Sequence, residues 1–170
     1  MAFFDFIKAA GEKLFPSKDN EAASAALASQ PDDAAAKAKV EALNRTAGDA
    51  IEAYVKSQNL SATGLTVTFD GSSGVATAFG VAADQATKEK ILLCCGNVGG
   101  VAKVDDRMSV EVAQPEAKFH TVVSGDNLSR IAKQFYGDAN KYPAIFEANK
   151  PMLKHPDKIY PGQVLRIPAQ

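Results

Sequence analysis

The sequence predicts an α+β protein of two small modules, one ordered αββαβ and one ordered βααβ. Three observations carry this. A helical apolar stripe at Val40, Leu43, Ala47, Ile51, Tyr54 and Val55 precedes a hairpin pattern at 65–79. A second helical register, 84–95, leads into a strand-like run from Val101 to Val112. A short linker, Gln114-Pro115-Glu116-Ala117, divides the charge: residues 1–117 carry 11 basic and 16 acidic side chains (net -5), residues 118–170 carry 8 and 4 (net +4). Two modules of opposite sign in one chain are expected to dock on each other.

Each element follows from its residues. Phe3, Phe6, Ile7 and Ala10 recur at helical spacing, so a short amphipathic helix is expected over 3–10. Gly11 is its C-cap, or a break before Leu14 and Phe15, and Pro16 stops the segment. Phe3, Phe4 and Phe6 read as anchors of this segment on a core rather than as a membrane face. Residues 17–39 are rich in Ala, Ser, Asp and Lys with little to bury, which suits a linker or a solvated helix. The helix of the stripe ends near Asn59. Leu65–Phe69 alternates as a strand, Asp70–Gly74 turns, and Val75–Phe79 returns. Ala86, Ile91, Leu92 and Cys95 mark the next helix, and Gly96-Asn97-Val98-Gly99-Gly100 breaks it. In the second module, a strand at Phe119–Val123 meets a helix capped by Asp126 or Asn127, with Leu128, Ile131, Ala132 and Phe135 on one side. Tyr142, Ile145 and Phe146 mark another helix. A proline-punctuated loop then reaches the strand Val164–Ile167.

The composition narrows the function. The chain has 170 residues, 46% hydrophobic and 23% charged, as soluble globular proteins do. A net charge of -1 gives no general case for nucleic acid or an anionic membrane as partner. Cys94 and Cys95 are neighbours and cannot form a disulfide without strain, so they are expected to pack a helix end as free thiols. The start, MAFFDFIKAAGEKLF, lacks a secretory signal, and no run approaches the ~20 apolar residues of a membrane span. A cytoplasmic monomer is expected. His120 and His155 have no Ser or Cys motif around them, and Asp105 and Asp106 should point to opposite faces of a strand. No catalytic constellation results, and the chain is expected not to be an enzyme.

At 118–170 the run HTVVSGDNLSRIAKQFYG…ANKPML…IYPGQVLRIP resembles a LysM domain, with Asn127 where Thr is commoner. The segment closing on GNVGGVAKVDDRMSV resembles a BON domain. Together with the start FFDFIKAAGEKLF, the order is similar to that of bacterial cytoplasmic potassium-binding proteins that join these two domains. The resemblance implies an N-terminal helix on the BON domain (1–16), an Ala-rich linker or solvated helix (17–39), the BON domain (40–113), a linker (114–117) and the LysM domain (118–170).

It also implies K⁺ as the ligand. A selective potassium site replaces the ion's water with neutral carbonyl oxygens, where carboxylate cages favour Ca²⁺. Two segments suit this chemistry. A helix stopping near Ala10-Gly11 leaves the carbonyls of Ile7 to Ala10 without intrahelical partners. The glycines of 96–101 let the backbone turn carbonyls inward. By the resemblance, the ligands are main-chain groups of Ile7, Ala10, Glu12, Gly96, Val98 and Val101. The competing reading is a module for peptidoglycan or other N-acetylglucosamine polymers. LysM domains as a class bind these in a groove, here Gly125, Asp126, Asn127, Leu128, Asn149, Pro151, Ile159 and Tyr160. The other options are a protein partner through the LysM domain, or a groove that is unused or redeployed for docking.

Overall fold

The computed structural model describes residues 2–6 and 11–170. The elements are β1 (Ala2–Asp5), α1 (Ser17–Ser29), α2 (Ala34–Ser57), β2 (Thr63–Asp70), β3 (Val75–Asp84), α3 (Gln85–Gly96), β4 (Lys103–Val112), β5 (Lys118–Thr121), α4 (Leu128–Tyr136), α5 (Tyr142–Ala148) and β6 (Val164–Ile167), with one 3-10 turn at Ala139–Lys141. The class is α+β.

The first sheet runs β1-β4-β3-β2. The hairpin β2–β3 is antiparallel, with Val67 opposite Ala78. β3 and β4 are parallel, from Val75↔Lys103 to Asp84↔Val112, and α3 is their crossover. Helices α2 and α3 cover one face, and Ala47, Ile51, Val55, Val67, Ala78, Ile91 and Val104 form the core between. The alternation read at 65–69 is real: Leu65, Val67 and Phe69 are buried and the residues between them exposed.

The N-terminus departs from the helix expected over 3–10. Ala2–Asp5 is a strand, antiparallel to β4 with Phe4 opposite Val104. The remainder of that expectation, at 7–10, lies outside the described residues. An apolar spacing of three does not separate a short helix from a strand, and the outer edge of β4 offers unpaired backbone groups that a strand satisfies.

The Ala-rich stretch is helical and mostly exposed, with a packed contact at Asn20 and Ala23. Asp33 caps α2, accepting from Ala35 and Ala36 at 2.8 and 3.2 Å, so the helix starts six residues before the stripe. Helix α1 lies against it with Asn20 and Ala23 buried, and the Asn20 amide donates to Asn44 Oδ1 at 3.2 Å.

The second sheet pairs β5 with β6 antiparallel, under a core of Val122, Leu128, Ile131, Ile145, Leu153, Leu165 and Ile167. Asn127 is the cap of α4, accepting from Arg130 at 2.8 Å. Asp126 serves the turn instead. Its Oδ2 lies 2.8 Å from His120 Nε2 and accepts from the Val123 N–H at 3.0 Å.

The two modules touch through α3, whose residues Ile91 to Cys95 are all buried. One side meets the sheet. The other meets β6 and the loop at 149–152.

Candidate ion site between the N-terminal segment and the loop after α3

The break after α3 is held from several directions. Gly99 N–H donates to Glu12 O at 2.8 Å, and Glu12 N–H donates to Asn97 O at 2.9 Å, so Glu12 and Val98 form a parallel bridge. Phe6 N–H donates to Ala102 O at 2.8 Å, and Ala102 N–H to Gly74 O at 2.7 Å. Val98 and Val101 send fully buried side chains into the core, which fixes the main chain between them.

Glycine is required at two of these positions. Gly11 has φ +107°, and a Cβ there would sit 2.2 Å from Asn97 O. At Gly96 a Cβ would lie 1.9 Å from Phe6 Cζ, because the phenyl ring rests directly on the backbone. The N-terminal segment and the loop thus approach at main-chain distance, as a site of carbonyl oxygens needs.

Four of the six expected ligand residues, Glu12, Gly96, Val98 and Val101, come together here. Ile7 and Ala10 lie outside the described residues. The carbonyls of Glu12 and Val98 each accept one hydrogen bond, from Gly99 at 2.8 Å and Val101 at 3.1 Å. Each oxygen keeps a second lone pair. No turn or loop N–H among the described residues donates to the carbonyl of Gly96 or Val101. Among the same residues, no group of three or more His, Cys, Asp or Glu could hold a metal. Main-chain oxygens are therefore among the groups on offer here, the donor type that suits K⁺.

Beside the loop, Glu12, Tyr54, Asn97, Met152, Tyr160 and Gln163 line a cleft of about 300 Å³ between the modules. Burial raises the Tyr54 hydroxyl well above the usual phenol range and raises that of Tyr160 too, and the Glu12 carboxylate adds to both. Cys94 and Cys95 are buried and free. Burial pushes the Cys94 thiol up to about 12 and Cys95 higher still, so both pack as apolar groups.

Sequence reasoning passed over the side chains that hold the modules together. Glu89, 1% exposed, accepts from Gln85 Nε2 at 2.9 Å, from Ala117 N–H at 3.0 Å and from Arg166 Nε at 2.5 Å. The Asn97 amide bonds to Val164 and touches Met152. A charged or amide side chain in a run of buried apolar residues signals that a partner exists, without naming it.

The glycan groove is partly committed elsewhere. Leu128 is core. Asn149 is buried, bonded to Ile145 O and to both backbone groups of Arg166. Pro151 and Met152 close against Leu93 and Cys94 of α3, and only about 10 Å³ of space is left there. Asp126 holds its own turn. His120 is its partner, and His155 is exposed beside Asp157. Asp106 pairs with Lys88 at 2.7 Å on the helix side, while Asp105 pairs with Arg107 at 2.8 Å, so the two carboxylates do face apart.

Comparison with known proteins agrees with this anatomy. The BON domain family matches residues 32–112, and the LysM domain family matches residues 120–168. The potassium binding protein Kbp of Escherichia coli is 46% identical over 172 residues, covering the whole of both chains. Shorter matches include an uncharacterized protein of Deinococcus radiodurans, 48% identical over 50 residues (29% of this chain, 19% of that one), and an esterase of Mycobacterium tuberculosis, 47% identical over 53 residues (31% and 11%). No helix among the described residues is long and apolar enough to cross a membrane. With a BON domain, a LysM domain and a relative matched end to end, the chain belongs to the family of the potassium binding protein Kbp.

Proposed function

We propose that this protein binds K⁺ through main-chain carbonyls of the segment ending at Glu12 and of the loop 96–101, and acts in the cytoplasm as a sensor or buffer of the ion rather than as a catalyst. The observation that carries this reading is the Glu12–Val98 bridge, which brings two carbonyl-bearing segments, distant in sequence, to main-chain contact around glycines. The full-length relative, named for potassium binding, supports the choice of ion. The ligands are Ile7, Ala10, Glu12, Gly96, Val98 and Val101, the carbonyls of Gly96 and Val101 being the least engaged by other loop and turn groups.

The ion acts here as an electrostatic pin. Carbonyl dipoles converging on one point repel each other, and a monovalent cation of suitable size removes that repulsion without requiring a buried anion. An ion bound only by the folded form stabilises it by RT ln(1 + [K⁺]/Kd). The melting temperature should therefore rise with KCl and not with NaCl at equal ionic strength. Equal midpoints in the two salts would exclude the reading. The glycan alternative is disfavoured by the commitment of Asn149, Pro151 and Leu128 to packing.

A further inference from the structure

Asn97 stands between two of the ligand residues, Gly96 and Val98, and every polar group it owns is engaged. Its N–H donates to Leu93 O at 2.9 Å, and its carbonyl accepts from Glu12 N–H at 2.9 Å. Its side chain crosses to the other module. Nδ2 donates to Val164 O at 3.0 Å, and Oδ1 accepts from Val164 N–H at 2.9 Å. The residue is 4% exposed.

The geometry at the far end explains why an amide is needed. β5 covers one edge of β6, and the other edge would leave backbone groups open. Two asparagines fill it. Asn149 bonds both backbone groups of Arg166, at 2.8 Å each, from within the LysM domain. Asn97 does the same for Val164, two residues away on the strand, from the BON domain. One module thus completes the sheet edge of the other with a single side chain.

The near end connects this clamp to the ion. Peptide units are planar, so the Gly96 carbonyl is rigidly opposed to the Asn97 N–H that bonds Leu93, and the Val98 carbonyl to the Gly99 N–H that donates to Glu12 O. Turning either ligand carbonyl away from the ion rotates a peptide whose other groups are bonded to α3 or to Glu12. A side chain with two rotatable bonds, pinned at Val164, leaves little slack for such rotation.

We infer that Asn97 is the positioning residue through which strand β6 sets the carbonyls of the ion loop, so that ion binding and module docking form one linked equilibrium. The inference rests on the K⁺ reading above. By linkage, whatever factor docking adds to ion affinity, the ion must return to docking.

The test uses the full chain. Calorimetric titration with KCl at constant ionic strength measures affinity, and amide exchange by NMR follows the Val164 N–H, which Asn97 accepts, and the Ala117 N–H, which Glu89 accepts at a separate point of the same contact. In the unsubstituted protein, saturating K⁺ in place of Na⁺ should slow exchange at both amides by about tenfold, within the range usual for coupled sites. Asn97→Ala should bind K⁺ about tenfold more weakly and lose the K⁺ effect on Ala117. A protein that binds K⁺ but exchanges Val164 equally in both salts overturns the inference without touching the K⁺ reading, and this needs no variant to fold. Asn97→Ala with unchanged affinity overturns it too. Absence of any K⁺ binding by the unsubstituted chain removes both.

Discussion

Gly96 shows how much a single hydrogen in place of a methyl can decide. The Phe6 ring occupies the space a Cβ would take, so Gly96→Ala must displace the ring and with it the pairing of Phe6 N–H with Ala102. Overpacking of this kind costs about 1–3 kcal/mol, which lowers the melting temperature by several degrees in a chain of this size. Beyond that loss, the shift between NaCl and KCl should shrink or vanish in the variant, because the two carbonyl-bearing segments no longer meet. Gly137→Ala is the control. Unlike Gly96 it sits at positive φ (+74°), but nothing lies within 4 Å of its Cβ position, so the variant should melt somewhat lower and keep the full salt response. The glycines after α3 were legible in the sequence as a place where backbone turns freely. The ring that makes Gly96 obligatory was not, since it arrives from a segment far away in the chain, and no local pattern announces a contact of that range. Asn97 was hidden for the same reason: its amide reads locally as a turn residue, and its partner lies in the other module.

Among the elements, α3 governs the site because its last turn carries the loop. It begins at Asp84, whose carboxylate accepts from Thr87 N–H at 2.7 Å. The hydrogen bonds from Thr87 hold the Asp84 carboxyl below the usual carboxylate range. Because the folded form releases this proton more readily than the unfolded one, the contribution to stability is complete above the unfolded value of about 4 and is lost as the pH falls through the lowered folded value. Asp84→Ala should therefore cost about 1 kcal/mol at neutral pH, and the gap to the unsubstituted protein should close in strongly acidic buffer; melts from pH 7 to 2 measure it. Periodicity made α2, the β2–β3 hairpin and α4 readable, since each buries one face at its own repeat. It failed at β1, where four residues contain too little repeat to separate helix from strand and the deciding fact is the open edge of β4. At 17–39 the helix is there and mostly exposed, and what periodicity did not show is its contact, because alanine hides packing. Small side chains form no visible stripe, yet they let α1 settle on α2 with Asn20 and Ala23 buried.

At the scale of the whole molecule, the split of charge at the linker pointed to docking, and the modules do dock. The contact is made by a few buried groups rather than by two opposed fields. Glu89 and Arg166 have side chains 2% and 12% exposed, and both oxygens of Glu89 are engaged. Glu89→Ala leaves the guanidinium without its carboxylate in a buried place and should destabilise the protein by about 3–5 kcal/mol, read from denaturant unfolding. Replacing both partners, Glu89→Leu with Arg166→Met, should recover much of that loss, because no charge is then stranded. If the protein acts on K⁺ in the cytoplasm, as proposed, its ligand is also the main electrolyte of its surroundings. Every rise in ligand shortens the screening length and weakens contacts between exposed charges. A joint made of a sequestered ion pair and one asparagine amide is nearly deaf to that background. Whatever change K⁺ brings to the two modules can then come from occupancy of the loop, uncontaminated by the ionic strength that rises with it.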